Sequence, residues 1–417
     1  MKSLNSSKKN HESILNASII FFVFVVVISL MNYLYQVFMG RMLGPVDYGI
    51  LGSLFAIIYI VNFSSNTFIF VISKNIARYK AKNQKSKIKF LFKKLLSEVV
   101  ILGLFLLIIF IFLTPYIARF MKLDNYFGIT LVGLIAYLSL ISVVFTGALN
   151  GLQKFIWQNL VYFISSLFKL LLAMILVFFG FKTNGALGAI LIGILISLFF
   201  AYIPLRKELK TKEEKIDSFE IYHYAIFVFI ASLLFVFIIT LDQILVKHFF
   251  SSEYAGIYAA AGMIGKIIFF STSFFIGPFF PKIVSLKSAG MNTTKLFRNV
   301  LFYVFIIASF EILAFFLFPN VIINLLYGKN YTGALNLVGI FGLSLGIFSL
   351  IQVFMTYDLA VEKLKFIYIF IIGVLFEVIT IIFIHNTLIE IAKIVLATNL
   401  FILAGFILYN HKEVLNL

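Results

Sequence analysis

The chain has 417 residues, 62% of them hydrophobic, 18% aromatic and 12% charged, and its net charge is +17. Water-soluble domains run about 45–50% apolar and about 25% charged, so this composition excludes a soluble fold. With no cysteine there are no disulfides, no thiolate chemistry and no zinc–thiolate centre, and five scattered histidines show no metal-ligand spacing.

A helix crosses about 30 Å of hydrocarbon with roughly 20 apolar residues. Twelve stretches of the chain meet that need. A polar start, Met1 to Ser13, leads into an apolar run too long for the core of a cleavable signal. The predicted helices of the first half lie at about 14–39, 47–73, 96–114, 127–150, 159–180 and 186–205. Those of the second half lie at about 223–246, 255–281, 299–318, 332–359, 366–384 and 390–409. Pro115, Pro204 and Pro319 are read as helix ends. Tyr33, Tyr35, Tyr126, Trp157, Tyr162, Tyr202, Tyr222, Tyr254 and Tyr331 are expected near the ends, where aromatic belts meet the interface.

Between the halves runs the hydrophilic segment Arg206 to Glu220. The expected division is therefore 1–205, a linker at 206–222, and 223–417. Placing the N-terminus in the cytoplasm puts 25 of the 34 Lys and Arg on inner segments and 6 in outer loops. This is the positive-inside bias, with both termini inside. The charge therefore speaks for a membrane surface and anionic lipid heads, most of all at Lys74–Lys94, and against nucleic acid.

The halves repeat. Gly49-Ile50 aligns with Gly256-Ile257, Pro115 with Pro319, Tyr126 with Tyr331 and Lys154 with Lys363, at offsets of 204 to 209. Six helices per half is even, so the predicted fold is an all-α integral membrane protein: two six-helix lobes related as parallel repeats. Transporters use this plan, with a polar site between the halves.

Polar residues inside the spans mark the candidate site. Asn62 and Asn66 share a helix face with Ser64, Ser65 and Thr67 beside them, and the repeat carries this cluster onto Ser271, Thr272 and Ser273. Lys169, Lys266, Glu311 and Glu377 fall near mid-membrane, where each charge costs about 2.5–3.5 kcal/mol. The lysines suit a phosphate as point charges. Glu311 and Glu377 suit coupling to an ion or proton, or else pair with the lysines and merely hold helices together. Asp242, Asp358 and Glu98 are read as nearer helix ends and solvated. Gly262 to Lys266 lacks the spacing of a nucleotide loop, so no ATPase and no cofactor is expected.

Gly40 to Gly49 reads Gly-Arg-Met-Leu-Gly-Pro-Val-Asp-Tyr-Gly. It resembles the R-x-L-G-P-x-x-[YF]-G signature of polysaccharide repeat-unit flippases, the O-antigen and capsule branch of the multidrug/oligosaccharidyl-lipid/polysaccharide superfamily. Gly147 to Phe155, Asp242 to Val246 with Ala255 to Ala261, and Leu326 to Tyr331 are similar to later family motifs in the same order. The first helix carries Asn32 and no acidic residue, unlike many drug exporters of the superfamily. The resemblance implies transport of an undecaprenyl-diphosphate-linked oligosaccharide from the cytoplasmic to the outer leaflet of the cytoplasmic membrane. The expected substrate cavity is served by Lys169, Lys266, Asn32, Asn62, Asn66, Ser271 and Arg41. The resemblance also implies membrane lipids and other polysaccharide assembly proteins as partners. Multidrug or small-solute antiport on the same fold is the alternative. A polymerase or ligase would need a larger outer loop than Pro115–Tyr126 or Pro319–Tyr331 provides.

Overall fold

The computed structural model describes residues 2–206, 208–210, 213–214, 219–411 and 413. Side-chain surroundings are described from Val23 onward, except at 66, 67, 70, 209 and 219–228. Every regular element among the described residues is helical. In chain order these are α1 (Lys2–Ala81), α2 (Lys85–Phe120), α3 (Tyr126–Gly151), α4 (Phe155–Phe178), α5 (Lys182–Leu205), α6 (Phe219–Ile238) and α7 (Leu241–Phe249). They continue with α8 (Ser252–Ile276), α9 (Phe279–Ser288), α10 (Thr294–Leu317), α11 (Pro319–Leu326), α12 (Leu335–Ala360), α13 (Ile367–Phe383) and α14 (Leu388–Tyr409). Among the described residues ten helical stretches are long and apolar enough to cross a membrane, or eleven if the bent pair α6–α7 counts as one span. The first of them covers two of the twelve predicted helices.

No loop separates those two. The break in α1 is one residue, Gly44 at φ 70 and ψ 174, followed by Pro45. Only glycine occupies that backbone region without strain, and a proline in the next helix's first turn lacks an N–H that would have no partner there. The Leu-Gly-Pro motif is thus a hinge inside a helix. Two other expectations shift. The basic strip after Asn83 is already helical, so α2 starts at Lys85, and Pro115 lies inside α2 instead of at its end. The predicted seventh helix is two pieces bent by 43° at 239–240. Asn125, Ser251 and Thr387 accept from the backbone N–H groups of Gly128, Tyr254 and Glu390, capping α3, α8 and α14.

The chain divides into two compact units. One comprises Met1–Met42, Ser65–Ile117 and Asn125–Ala225; the other comprises Leu43–Ser64, Ala118–Asp124 and Ile226–Leu417. The first is held by aliphatic packing of α1, α2 and α3, among them Ile69, Ile72, Ile76, Leu91, Val144 and Leu149. Gly147 and Gly151 let α3 approach closely: a Cβ on either would lie 2.9 or 2.7 Å from the Cβ of Ile72 or Ile76. Apolar side chains of α2 such as Ile101, Phe105 and Phe112 are exposed, as a lipid-facing surface requires. Glu208, Glu213 and Glu214 of the linker meet Lys154, Lys93 and Lys87 at 3.2, 2.5 and 3.2 Å.

The second unit packs around phenylalanines, with Phe235 within 6.2 Å, centroid to centroid, of Phe269, Phe348 and Phe370. Its most informative contact joins α1 to α8. A Cβ on Gly49 would overlap the Ser252 carbonyl, and one on Gly256 would overlap that of Pro45. A Cβ on Gly52 would sit 2.9 Å from that of Ala259. At the repeat offset of 207 the counterparts of 45, 49 and 52 are 252, 256 and 259, so 49 meets the counterpart of 45, 45 meets the counterpart of 49, and 52 meets its own. Contacts in which each residue touches the other's counterpart are the mark of a local two-fold relation. The sequence repeat is therefore a spatial one here. In the same unit Tyr48 meets Tyr327, hydroxyl to hydroxyl, at 3.2 Å, and packs edge-on to Tyr331. Tyr48, from the Gly40–Gly49 motif, thus lies against Tyr327 and Tyr331 of the later Leu326–Tyr331 motif.

Candidate functional site

In the first unit the spans bring together two residues far apart in sequence. Lys169 of α4 donates from Nζ to Oδ1 of Asn32 in α1. The same ammonium stands 4.8 Å from the centroid of the Tyr35 ring, within cation–π range. Each support is held in turn. The Asn32 amide donates to the Ile28 carbonyl at 2.9 Å and to the Ser166 hydroxyl at 3.2 Å, which turns Oδ1 toward the lysine. Tyr35 is fully buried and donates to the Ala186 carbonyl at 3.1 Å. Lys169 keeps part of its surface accessible. Tyr35 was expected at an interfacial belt; it is a core residue instead, as is Tyr331. Tyr126, Tyr202 and Tyr254 are more than half or half exposed, as a belt requires.

The second unit holds a different cluster. Lys266 of α8 stands 5.1 Å from the centroid of the Tyr59 ring, again a pair at the repeat offset. It interacts electrostatically with Asp242 of α7. Tyr258, two turns earlier on α8, donates to Oδ2 of Asp242 at 2.8 Å. Glu377 of α13 is 1% exposed and interacts electrostatically with Asp242. Neither oxygen of Glu377 has a hydrogen-bond partner, nor do Oδ1 of Asp242 and the hydroxyl of Thr398. Thr398 of α14 faces the same side of α13, since a Cβ on Gly373 would lie 3.9 Å from its methyl and Glu377 is one turn on. Two carboxylates and one ammonium leave the cluster one positive charge short. Buried carboxylate oxygens without donors call for a proton or a bound cation.

Asp242 was expected to be solvated and is 5% exposed; Asp358, likewise expected in solvent, is fully buried and accepts from Asn410 at 3.0 Å. The misplacement of Asp242 follows from reading 223–246 as one straight helix: the bend after Ile238 turns the start of α7, with Asp242, into the core. Lys247, expected in an outer loop, is also buried and donates to the carbonyls of Met121 and Lys122 at 2.8 and 3.3 Å. Both carbonyls lie just past the C-terminal end of α2, where a cation is favoured. Glu98 is exposed, as expected.

Ser271 donates to Oε2 of Glu311 at 3.0 Å, joining α8 to α10. Asn62 is partly buried in the second unit, and the side chain of Asn66 lies outside the described residues. Arg41 is exposed, about 14 Å of helix beyond Asn32. No group of three His, Cys, Asp or Glu able to hold a metal occurs among the described residues.

Solved structures share the fold. An inward-facing multidrug resistance MATE family transporter of the MOP superfamily aligns with a TM-score of 0.76 at 16% identity, over 93% of this chain and 94% of its own. The lipid II flippase MurJ in an inward closed conformation aligns with a TM-score of 0.73 at 13% identity, over 94% and 87%. No curated protein matches the chain by sequence. Residues 14–287 match the profile of a family described as "Polysaccharide biosynthesis protein".

Proposed function

The chain belongs to the polysaccharide biosynthesis protein family, and from that premise we propose that it moves a polyprenyl-diphosphate-linked oligosaccharide from the cytoplasmic to the outer leaflet of the cytoplasmic membrane. The observation that carries the reading is the placement of charge. Family membership supplies the pathway; buried charged clusters in hydrocarbon-length helices supply a reason to move something polar. Sugars and a diphosphate cannot enter hydrocarbon without partners, because unpaired hydroxyls and charges there cost several kcal/mol each. A protein that offers them hydrogen bonds and a cation replaces the lost water. The polyprenyl tail needs no such help and stays in lipid.

The two repeated halves would alternate access to the two sides, with both termini in the cytoplasm. A dianion driven outward by an inside-negative potential gains about 2.3 kcal/mol per charge per 100 mV, which favours export. Glu377 and Asp242 are the coupling candidates: the vacant oxygens of this cluster suit an exchanged proton or monovalent cation. Glu311, held by Ser271, is a second.

Reconstituted vesicles test the proposal. The full chain should speed the loss of a fluorescent polyprenyl-diphosphate sugar from one leaflet. A deletion strain should accumulate the lipid-linked repeat unit. Transport of soluble organic cations with no effect on the lipid-linked sugar would overturn the reading in favour of small-solute antiport.

A further inference from the structure

The two intramembrane lysines look interchangeable in the sequence. Each lies over a tyrosine, each is partly accessible, and each sits deep in a span. Their charge balance separates them. Lys266 is answered from within the protein, since Asp242 attracts it and Glu377 adds further negative charge to the same cluster. A phosphate brought there would meet two carboxylates. Among the described residues Lys169 has only neutral partners, the Asn32 amide oxygen and the face of Tyr35, and no carboxylate pairs with it.

We propose that the Lys169–Asn32–Tyr35 pocket of the first unit is a binding place for a phosphate or diphosphate group, and that Lys266 is not. An ammonium has three N–H donors. One is spent on Asn32, and the face of Tyr35 takes the charge from one side, leaving the other N–H donors uncommitted. A buried cation without a counter-charge is expensive, and an anionic ligand supplies what the chain withholds. The clamp on Asn32 from Ile28 and Ser166 fixes the direction of the lysine and so preorganises the pocket.

The repeat sharpens the contrast. Lys154 corresponds to Lys363, and fifteen residues further along α4 the counterpart of Lys169 falls at Val378 of α13, one residue from Glu377. The two halves thus carry opposite charge in neighbouring, not identical, places. The assignment rests on the flippase reading only for which phosphate ester is held.

Binding to the purified full chain in nanodiscs decides it, with polyprenyl diphosphate, the uncharged polyprenol and inorganic pyrophosphate as probes. The wild type should prefer the diphosphate lipid over polyprenol by at least about tenfold, as a charge-assisted contact implies. Lys169→Met should erase that preference and Lys169→Arg should keep most of it. Asn32→Asp is the stricter variant: it leaves the lysine in place and cancels its charge, so it should lose the diphosphate while the protein stays monodisperse. The charge-neutral pair Asp242→Asn with Lys266→Met should retain the preference. Retention in both Asn32→Asp and Lys169→Met would overturn the assignment, as would an equal loss in the Asp242/Lys266 pair. If polyprenyl diphosphate binds with no dependence on residue 169, the flippase reading survives and this site does not. If pyrophosphate alone binds through Lys169 and the lipid does not, the anion site stands and the flippase reading falls.

Discussion

Asp242 and Lys266 show how a buried charge takes its meaning from its neighbours. Each is a charge within the spans, and together they offset one another. Removing one partner of a buried pair leaves the other uncompensated and typically costs about 3–5 kcal/mol. Lys266→Met and Asp242→Asn should therefore each lower the melting temperature in detergent. The double variant should melt above the Lys266→Met single, with a coupling of about 1–3 kcal/mol in a double-mutant cycle. Additive losses would show that the two do not interact. The intramembrane position of Lys266 was legible from its spacing within an apolar run. The burial of Asp242 was not, because it depends on a bend between α6 and α7 that hydropathy does not register.

Helices here are shaped by a few small residues. Gly44 holds a backbone region closed to side chains, and a Cβ there would meet nothing within 4 Å. Gly44→Ala should thus cost about 1–3 kcal/mol through backbone strain alone, and thermal unfolding should show it. Gly49 and Gly256 are the reverse case, since their φ angles are helical and the space is missing. Gly49→Leu or Gly256→Leu should destabilise by at least about 1–3 kcal/mol through overpacking. The two should be strongly non-additive, because both force apart the same pair of helices. The linker is held by charge. The hydrogen bond from Lys93, with Lys89 beside it, holds the Glu213 carboxyl below its ordinary range. A depressed carboxylate favours the docked state above its undocked pKa, about 4, and loses that contribution as pH falls through the lower docked value. A spin label at Lys210 should be ordered at neutral pH and gain mobility on acidification below pH 4. High salt should loosen it too, since these pairs are exposed. Unchanged mobility in both tests would show the linker is held by something other than these pairs.

For the protein in its membrane, the two charged clusters lead to separable behaviours. If Glu377 carries the coupled cation or proton, Glu377→Gln should leave the protein folded and the lipid-linked sugar still bound. Flipping in vesicles should then cease to respond to an imposed pH or sodium gradient. A gradient response equal to the wild type's would remove Glu377 from that role and leave Glu311 as the candidate to test next.

The all-helical membrane fold and the presence of charge within the spans were readable from residue order, because a bilayer imposes a length of about 20 apolar residues and a stiff price on polarity within it. The compact units were not, since Leu43–Ser64 and Ala118–Asp124 of the first half belong with the second. The repeat was readable as well, from Gly49 and Gly256 at constant spacing, yet their contact across a local two-fold emerged only in three dimensions. Which charges meet was decided by packing alone. Lys169 reaches Asn32 across 137 residues, and Asp242 joins Lys266 and Glu377 from three helices. Periodicity describes one helix at a time, whereas a buried ion's partner is chosen by the rotation, bend and neighbours of several helices at once.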